Sequence, residues 1–156
     1  MKRLIILDGI QDPGNLGTLL RTALGLGWDG AFLLKNTCDP FNQKAIRAAR
    51  GACFRLPLYT EGSLDDLQEL LRDHDFTVSS STLADEIRDV PIALWLGSEG
   101  KGLSGGQWSE AQNGCEDGQA LLAAPLKTVK IDMAPEMESL NVAVAGGGGL
   151  ENNEKR

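Results

Sequence analysis

The stretch PIALWL, residues 91–96, contains no polar side chain. A strand with one wet face alternates apolar and polar residues, so an unbroken run of this length fits a strand covered on both faces. RLIIL (3–7) and GAFLL (30–34) also read as strands. Between such runs the period changes. Leu16, Leu19, Leu20, Ala23 and Leu24 recur at helical spacing and predict a helix over 15–26. A second helix is expected over 41–52, with Phe41, Ala45, Ala48, Ala49 and Ala52 on its apolar side. Leu64, Leu67 and Leu71 mark a third. Shorter strands are expected near RLPLY (55–59), FTVSS (76–80) and TVKIDM (128–133), and a last helix from Glu136. Residues 104–126 remain unassigned. This alternation implies an α/β fold, a mostly parallel sheet flanked by helices.

The length of 156 residues suits one domain with a sizeable core. No apolar run is long enough to span a bilayer, and no membrane partner is expected. Cys38, Cys53 and Cys115 are dispersed without a CxxC pair, which fits reduced thiols. The one histidine, His74, lies by a helix end among acids, so a zinc site and a Ser/His/Asp triad are both disfavoured. No metal is expected. These features fit a cytoplasmic protein, or an organellar one if a targeting peptide has been left out of this chain.

A net charge of −7 argues against nucleic-acid binding by the whole surface. The distribution is uneven, however. Lys35, Lys44, Arg47, Arg50 and Arg55 fall in one stretch whose only acid is Asp39. Such a patch is able to hold a phosphate backbone, and it also reads as an ordinary solvated face.

Ligands of open parallel sheets bind beyond the carboxyl ends of the strands, and three such ends are unusual here. In the first, DPGNLGTLLR (12–21), Asn15 is positioned to cap a helix. Arg21 lies off the apolar stripe, on a face shared with the small residues Gly14, Gly17 and Thr18. That face reads either as an open one suited to an anion or as plain surface. The second, LGSEGKGLS (96–104), has glycines at 97, 100 and 102 around Glu99. Its order is neither a dinucleotide fingerprint nor a P-loop. The third, IDMAPEMESLN (131–141), sets Ser139 and Asn141 at a helix start, where both also read as simple caps.

In this order, NLGTLLR, LGSEGKGLS and IDMAPEMESLNVAVA resemble the three motifs of the SpoU (TrmH-like) RNA ribose 2′-O-methyltransferases of the SPOUT class. The resemblance covers nearly the whole chain and implies several properties. The fold would carry a C-terminal deep trefoil knot. S-adenosylmethionine would lie bent in it, against Gly97, Ile131, Met133, Ser139 and Leu140. Asn15, Arg21, Glu99, Ser139 and Asn141 would form the catalytic set. The reaction would be methyl transfer to a ribose 2′-hydroxyl of tRNA or rRNA, by a homodimer. Arg21 would hold and polarise the target nucleotide through a guanidinium–phosphate fork, with the proton acceptor left open. With Arg21, the basic residues Lys44, Arg47 and Arg50 would contact the RNA.

The sequence departs from the family pattern in places. Asp132 stands where the family usually has proline. Gly146–Gly149 interrupt the last helix, at about 1 kcal/mol each relative to alanine. Residues 146–156 are therefore expected to fray, and the dimer to be weaker than is usual. The whole of 1–156 reads as one SpoU-type domain without a separate RNA-recognition domain. A non-catalytic RNA-binding or assembly protein on the same fold is the alternative reading.

Overall fold

The computed structural model describes residues 1–74, 77–80, 91–97 and 126–128, together with Asn141 and Ala143. The elements run β1 (Arg3–Asp8), α1 (Pro13–Gly25), β2 (Gly30–Leu34), α2 (Gln43–Ala49), a 3₁₀ turn (Ala52–Phe54), β3 (Leu58–Gly62), α3 (Leu64–Asp73), β4 (Thr77–Ser80), β5 (Ile92–Gly97) and β6 (Leu126–Thr128). They form a six-stranded sheet in the order β3-β2-β1-β5-β4-β6. Every pairing described is parallel. The expected α/β architecture is therefore present. The segment 104–125, Cys115, the end expected to form a knot, Asp132 and the glycine run lie outside the described residues.

The unbroken apolar strands are explained by the two layers that cover them. Ile5 and Leu7 of β1 and Leu94 of β5 face α1, where they pack with Leu16, Leu19, Leu20 and Ala23. Leu4 and Ile6, with Ala93 and Trp95, point the other way and pack on Leu67 and Leu71 of α3. Alternate residues of one strand thus supply two cores, as a period of two requires.

Two helices differ from expectation at their ends. The N-cap of α1 is Asp12, not Asn15: the Asp12 carboxylate accepts the Asn15 N–H at 2.8 Å, and Pro13 opens the helix. Proline suits a first helical turn because its missing N–H would have had no partner there. The second helix covers only Gln43–Ala49, since Arg50 and Gly51 both take positive φ (51° and 85°) and reverse the chain. Phe41, expected on the apolar side, is instead 48% exposed, because it precedes the Asn42 cap and never joins the helix.

Gly17 was expected on the open face with Arg21, but it is buried against α2. A Cβ there would lie 2.4 Å from the Ala45 carbonyl oxygen and 2.8 Å from the Ala49 nitrogen. The missing side chain brings two helix backbones together and leaves no room for a ligand on that side.

Candidate functional site

The strand order places β1 and β5 side by side at the sheet centre, and the strand that follows β1 (β2) lies to one side while the strand that follows β5 (β6) lies to the other. Such a reversal opens a crevice at the carboxyl ends. There Asp8 and Gly97 are register partners. Strand β5 is buried from Ile92 to Trp95 and becomes partly exposed at Leu96 and Gly97, so the sheet opens toward solvent at this end.

Asp8 is the one buried charged residue among the described residues. Its Oδ2 accepts from Trp95 Nε1 at 3.3 Å, and its Oδ1 accepts from Asn36 Nδ2 at 3.1 Å. Asn36 Oδ1 in turn accepts the Gly9 N–H at 3.2 Å. Gly9 takes φ 67°, which suits a residue without a Cβ. Thr37 Oγ1 donates to the Leu7 carbonyl, and the Cys38 N–H to the Ile10 carbonyl, each at 2.9 Å. A carboxylate with oriented donors thus ties the ends of β1 and β5 to the loop after β2. Sequence reasoning assigned no role to Asp8, Asn36 or Trp95. An acid ending an apolar strand was the available signal.

Above this edge stands the N-terminus of α1. Asp12 caps it and pairs with Lys44 Nζ at 2.7 Å. The lysine, and then the Asn15 N–H, hold the Asp12 carboxyl below the usual carboxylate range. One turn into the helix, Asn15 Oδ1 accepts a hydrogen bond from Asn141 Nδ2 at 3.2 Å, across 126 residues. Asn141 Oδ1 meanwhile accepts the Ala143 N–H at 2.8 Å, and Ala143 is helical and packs on the α1 side of the core. Asn141 therefore caps the helical turn after it while its amide nitrogen reaches the first motif.

Arg21 is exposed on α1 and makes no hydrogen bond or ion pair among the described residues. Thr18, one turn before it, is also exposed and turns its hydroxyl onto the Gly14 carbonyl at 2.8 Å. Arg47 and Arg50 are exposed, whereas Lys44 is engaged by Asp12. Glu99, Ile131, Met133, Ser139 and Leu140 lie outside the described residues. The structure thus brings Asn15 and Asn141 together and sets Gly97 at the crevice. The Cys38 thiol is raised above its ordinary value, chiefly by burial and then by Asp12, so it remains protonated at neutral pH. No helix among the described residues is long and apolar enough to cross a membrane, and no group of potential metal ligands occurs among them.

The chain is similar to known proteins over most of its length. The chain is 34% identical over 149 residues to an uncharacterised tRNA/rRNA methyltransferase of Synechocystis, covering 92% of this chain and 49% of that protein. It is 31% identical over 150 residues to the 23S rRNA (guanosine(2553)-2′-O)-methyltransferase RlmP of Bacillus subtilis, covering 92% and 54%. The chain spans about half the length of these curated relatives. Among solved structures, an AdoMet-bound rRNA methyltransferase from Sinorhizobium meliloti superposes with a TM-score of 0.73 at 29% identity, covering 97% of this chain and 55% of that one. The sequence model of the SpoU rRNA Methylase family matches residues 2–149, and the chain belongs to that family.

Proposed function

We propose that this chain transfers a methyl group from S-adenosylmethionine to a ribose 2′-hydroxyl of tRNA or rRNA. The observation that carries the reading is the Asn15–Asn141 hydrogen bond, which joins the first and third motifs at the carboxyl edge of the sheet. The names of relatives support it: RlmP is a 2′-O-methyltransferase of 23S rRNA, and the Sinorhizobium enzyme binds AdoMet.

Gly97, the one of the expected cofactor residues that is described, suits such a ligand. Gly97 has no side chain to fill the crevice at the end of β5, and the strand becomes accessible there. Gly97, Ile131, Met133, Ser139 and Leu140 would hold S-adenosylmethionine, which supplies a methyl group at a positive sulfur. Asn15, Asn141, Ser139 and Glu99 would orient the ribose. Arg21 would hold a phosphate of the target nucleotide, with Lys44, Arg47 and Arg50 contacting RNA further along. The role assigned to Arg21 is to position and polarise the nucleotide, and the acceptor of the 2′-hydroxyl proton is left open. Alignment of the hydroxyl with the methyl group is then the main contribution of the protein.

The finer architecture belongs to the same proposal. The segment with the third motif would thread the loop of the second as a trefoil knot, and two copies would form a homodimer acting in the cytoplasm or an organelle. The working unit would be one SpoU-type domain over 1–156.

Calorimetric titration with S-adenosylmethionine, followed by transfer of its labelled methyl group to tRNA and rRNA, tests the reading. Binding and RNA labelling are expected. A folded protein that binds no cofactor would overturn the enzymatic reading and favour RNA binding alone.

A further inference from the structure

Phe41 and Phe54 lie 48% and 65% exposed, yet they touch each other, with ring centroids 5.8 Å apart and planes tilted by 38°. Isolated exposed apolar residues are ordinary; two phenyl rings in contact on the surface form a patch. The local chain builds it deliberately. Arg50 and Gly51, both at positive φ, turn the chain back, and the 3₁₀ turn Ala52–Phe54 delivers Phe54 beside Phe41. The Asp39 carboxylate accepts the Phe41 N–H at 2.9 Å and fixes that end.

The surroundings are cationic. Residues 41–55 contain Lys44, Arg47, Arg50 and Arg55 and no acid, in a chain of net charge −7. Lys44 is paired with Asp12, but Arg47, Arg50 and Arg55 are exposed and make no ion pair among the described residues. Aromatic faces among uncompensated arginines match an unpaired nucleic-acid strand, whose bases stack while its phosphates meet the guanidinium groups. The patch is also tied to the candidate site. Helix α2 packs on α1 through Gly17, and the Lys44–Asp12 pair links it to the cap of the helix that carries Asn15 and Arg21.

We propose that Phe41 and Phe54 form a stacking platform for unpaired bases of the RNA, with Arg47, Arg50 and Arg55 holding its backbone. This rests on the reading of RNA as substrate. The platform carries no base-edge hydrogen-bond donors of its own, so it accepts bases with little regard to sequence and acts on affinity and register.

The test measures binding of a mixed-sequence single-stranded RNA 15-mer, and of the same oligomer with abasic residues, without S-adenosylmethionine. F41A/F54A is expected to weaken binding of the intact RNA about tenfold and to leave its salt slope unchanged. Parent binding to the abasic oligomer should fall by a similar factor. R47A/R55A should lower the salt slope by roughly 1.4. F54W should regain the affinity of the parent, with indole fluorescence quenched by the intact RNA and not by the abasic one. Unchanged affinity in folded F41A/F54A, or equal losses on both oligomers, would overturn the proposal. So would a variant that shifts only the monomer–dimer equilibrium, since the patch would then face a second copy of the chain. Methyl transfer is scored separately. Its presence without aromatic dependence removes the platform, and aromatic dependence without transfer removes the enzymatic reading.

Discussion

Asn141 donates from Nδ2 to Asn15 Oδ1 at 3.2 Å while its own Oδ1 accepts the Ala143 N–H. One side chain therefore caps the Ala143 N–H and bonds to the first turn of α1. Asn141→Ala loses both interactions, and the cap alone is worth about 1 kcal/mol. In a double-mutant cycle, Asn15→Ala and Asn141→Ala should couple by about 1 kcal/mol. Urea denaturation of the four proteins checks this; additive effects would mean that the two amides do not depend on each other.

Asp8 predicts a larger effect. Asp8→Ala leaves the buried Trp95 Nε1 and the exposed Asn36 Nδ2 without this acceptor. Removing the acceptor of a buried donor costs about 1–3 kcal/mol, and a loss within that range is expected. Asp8→Asn keeps an acceptor and should lose less. Denaturation midpoints at pH 7 decide the order.

Gly17→Ala places its new Cβ 2.4 Å from the Ala45 carbonyl oxygen and 2.7 Å from the Ala48 Cβ. Backbone does not yield as a flexible side chain would, and α1 must move off α2. Overpacking of this kind costs about 1–3 kcal/mol. Gly25→Ala is the control, because nothing lies within 4 Å of the Cβ it would add. It should be neutral or slightly stabilising, as alanine favours helix over glycine.

The acid limb of stability should carry Asp12 and Asp66. Lys44 and the Asn15 N–H depress the first, and the Ser63 hydroxyl and N–H depress the second. A carboxyl depressed by folding stabilises the protein fully above its unfolded value of about 3.9. That contribution fades as pH falls through the lower, folded value. Stability measured between pH 7 and pH 2 should therefore drop less steeply at the acid end in Asp12→Asn than in the parent.

Much of this was legible in the sequence, because burial on both faces leaves a local record. RLIIL, GAFLL and PIALWL carried no polar alternation, and all three lie inside the sheet with a strand on either side. The start of α1 was readable too: Asp12-Pro13 is a cap followed by a proline, a stronger signal than Asn15. Gly17 was misread because a bare helix face looks the same whether it meets a ligand or another helix. The contact of Asn15 with Asn141 left no periodic trace, since it spans 126 residues. Phe41 was misplaced because helical spacing runs back past Asn42, where the cap starts the helix only after it, and Ala52 because that spacing also runs on across Arg50–Gly51, where the backbone turns.

The most direct test is nucleoside mass spectrometry of tRNA and rRNA incubated with the protein and methyl-deuterated S-adenosylmethionine. A labelled nucleoside is expected whose methyl group leaves with the ribose on glycosidic cleavage. Arg21→Ala is expected to lose the product while binding the cofactor nearly as well as the parent. A label retained on the base, or RNA left unlabelled by a protein with S-adenosylmethionine bound, would contradict this reading.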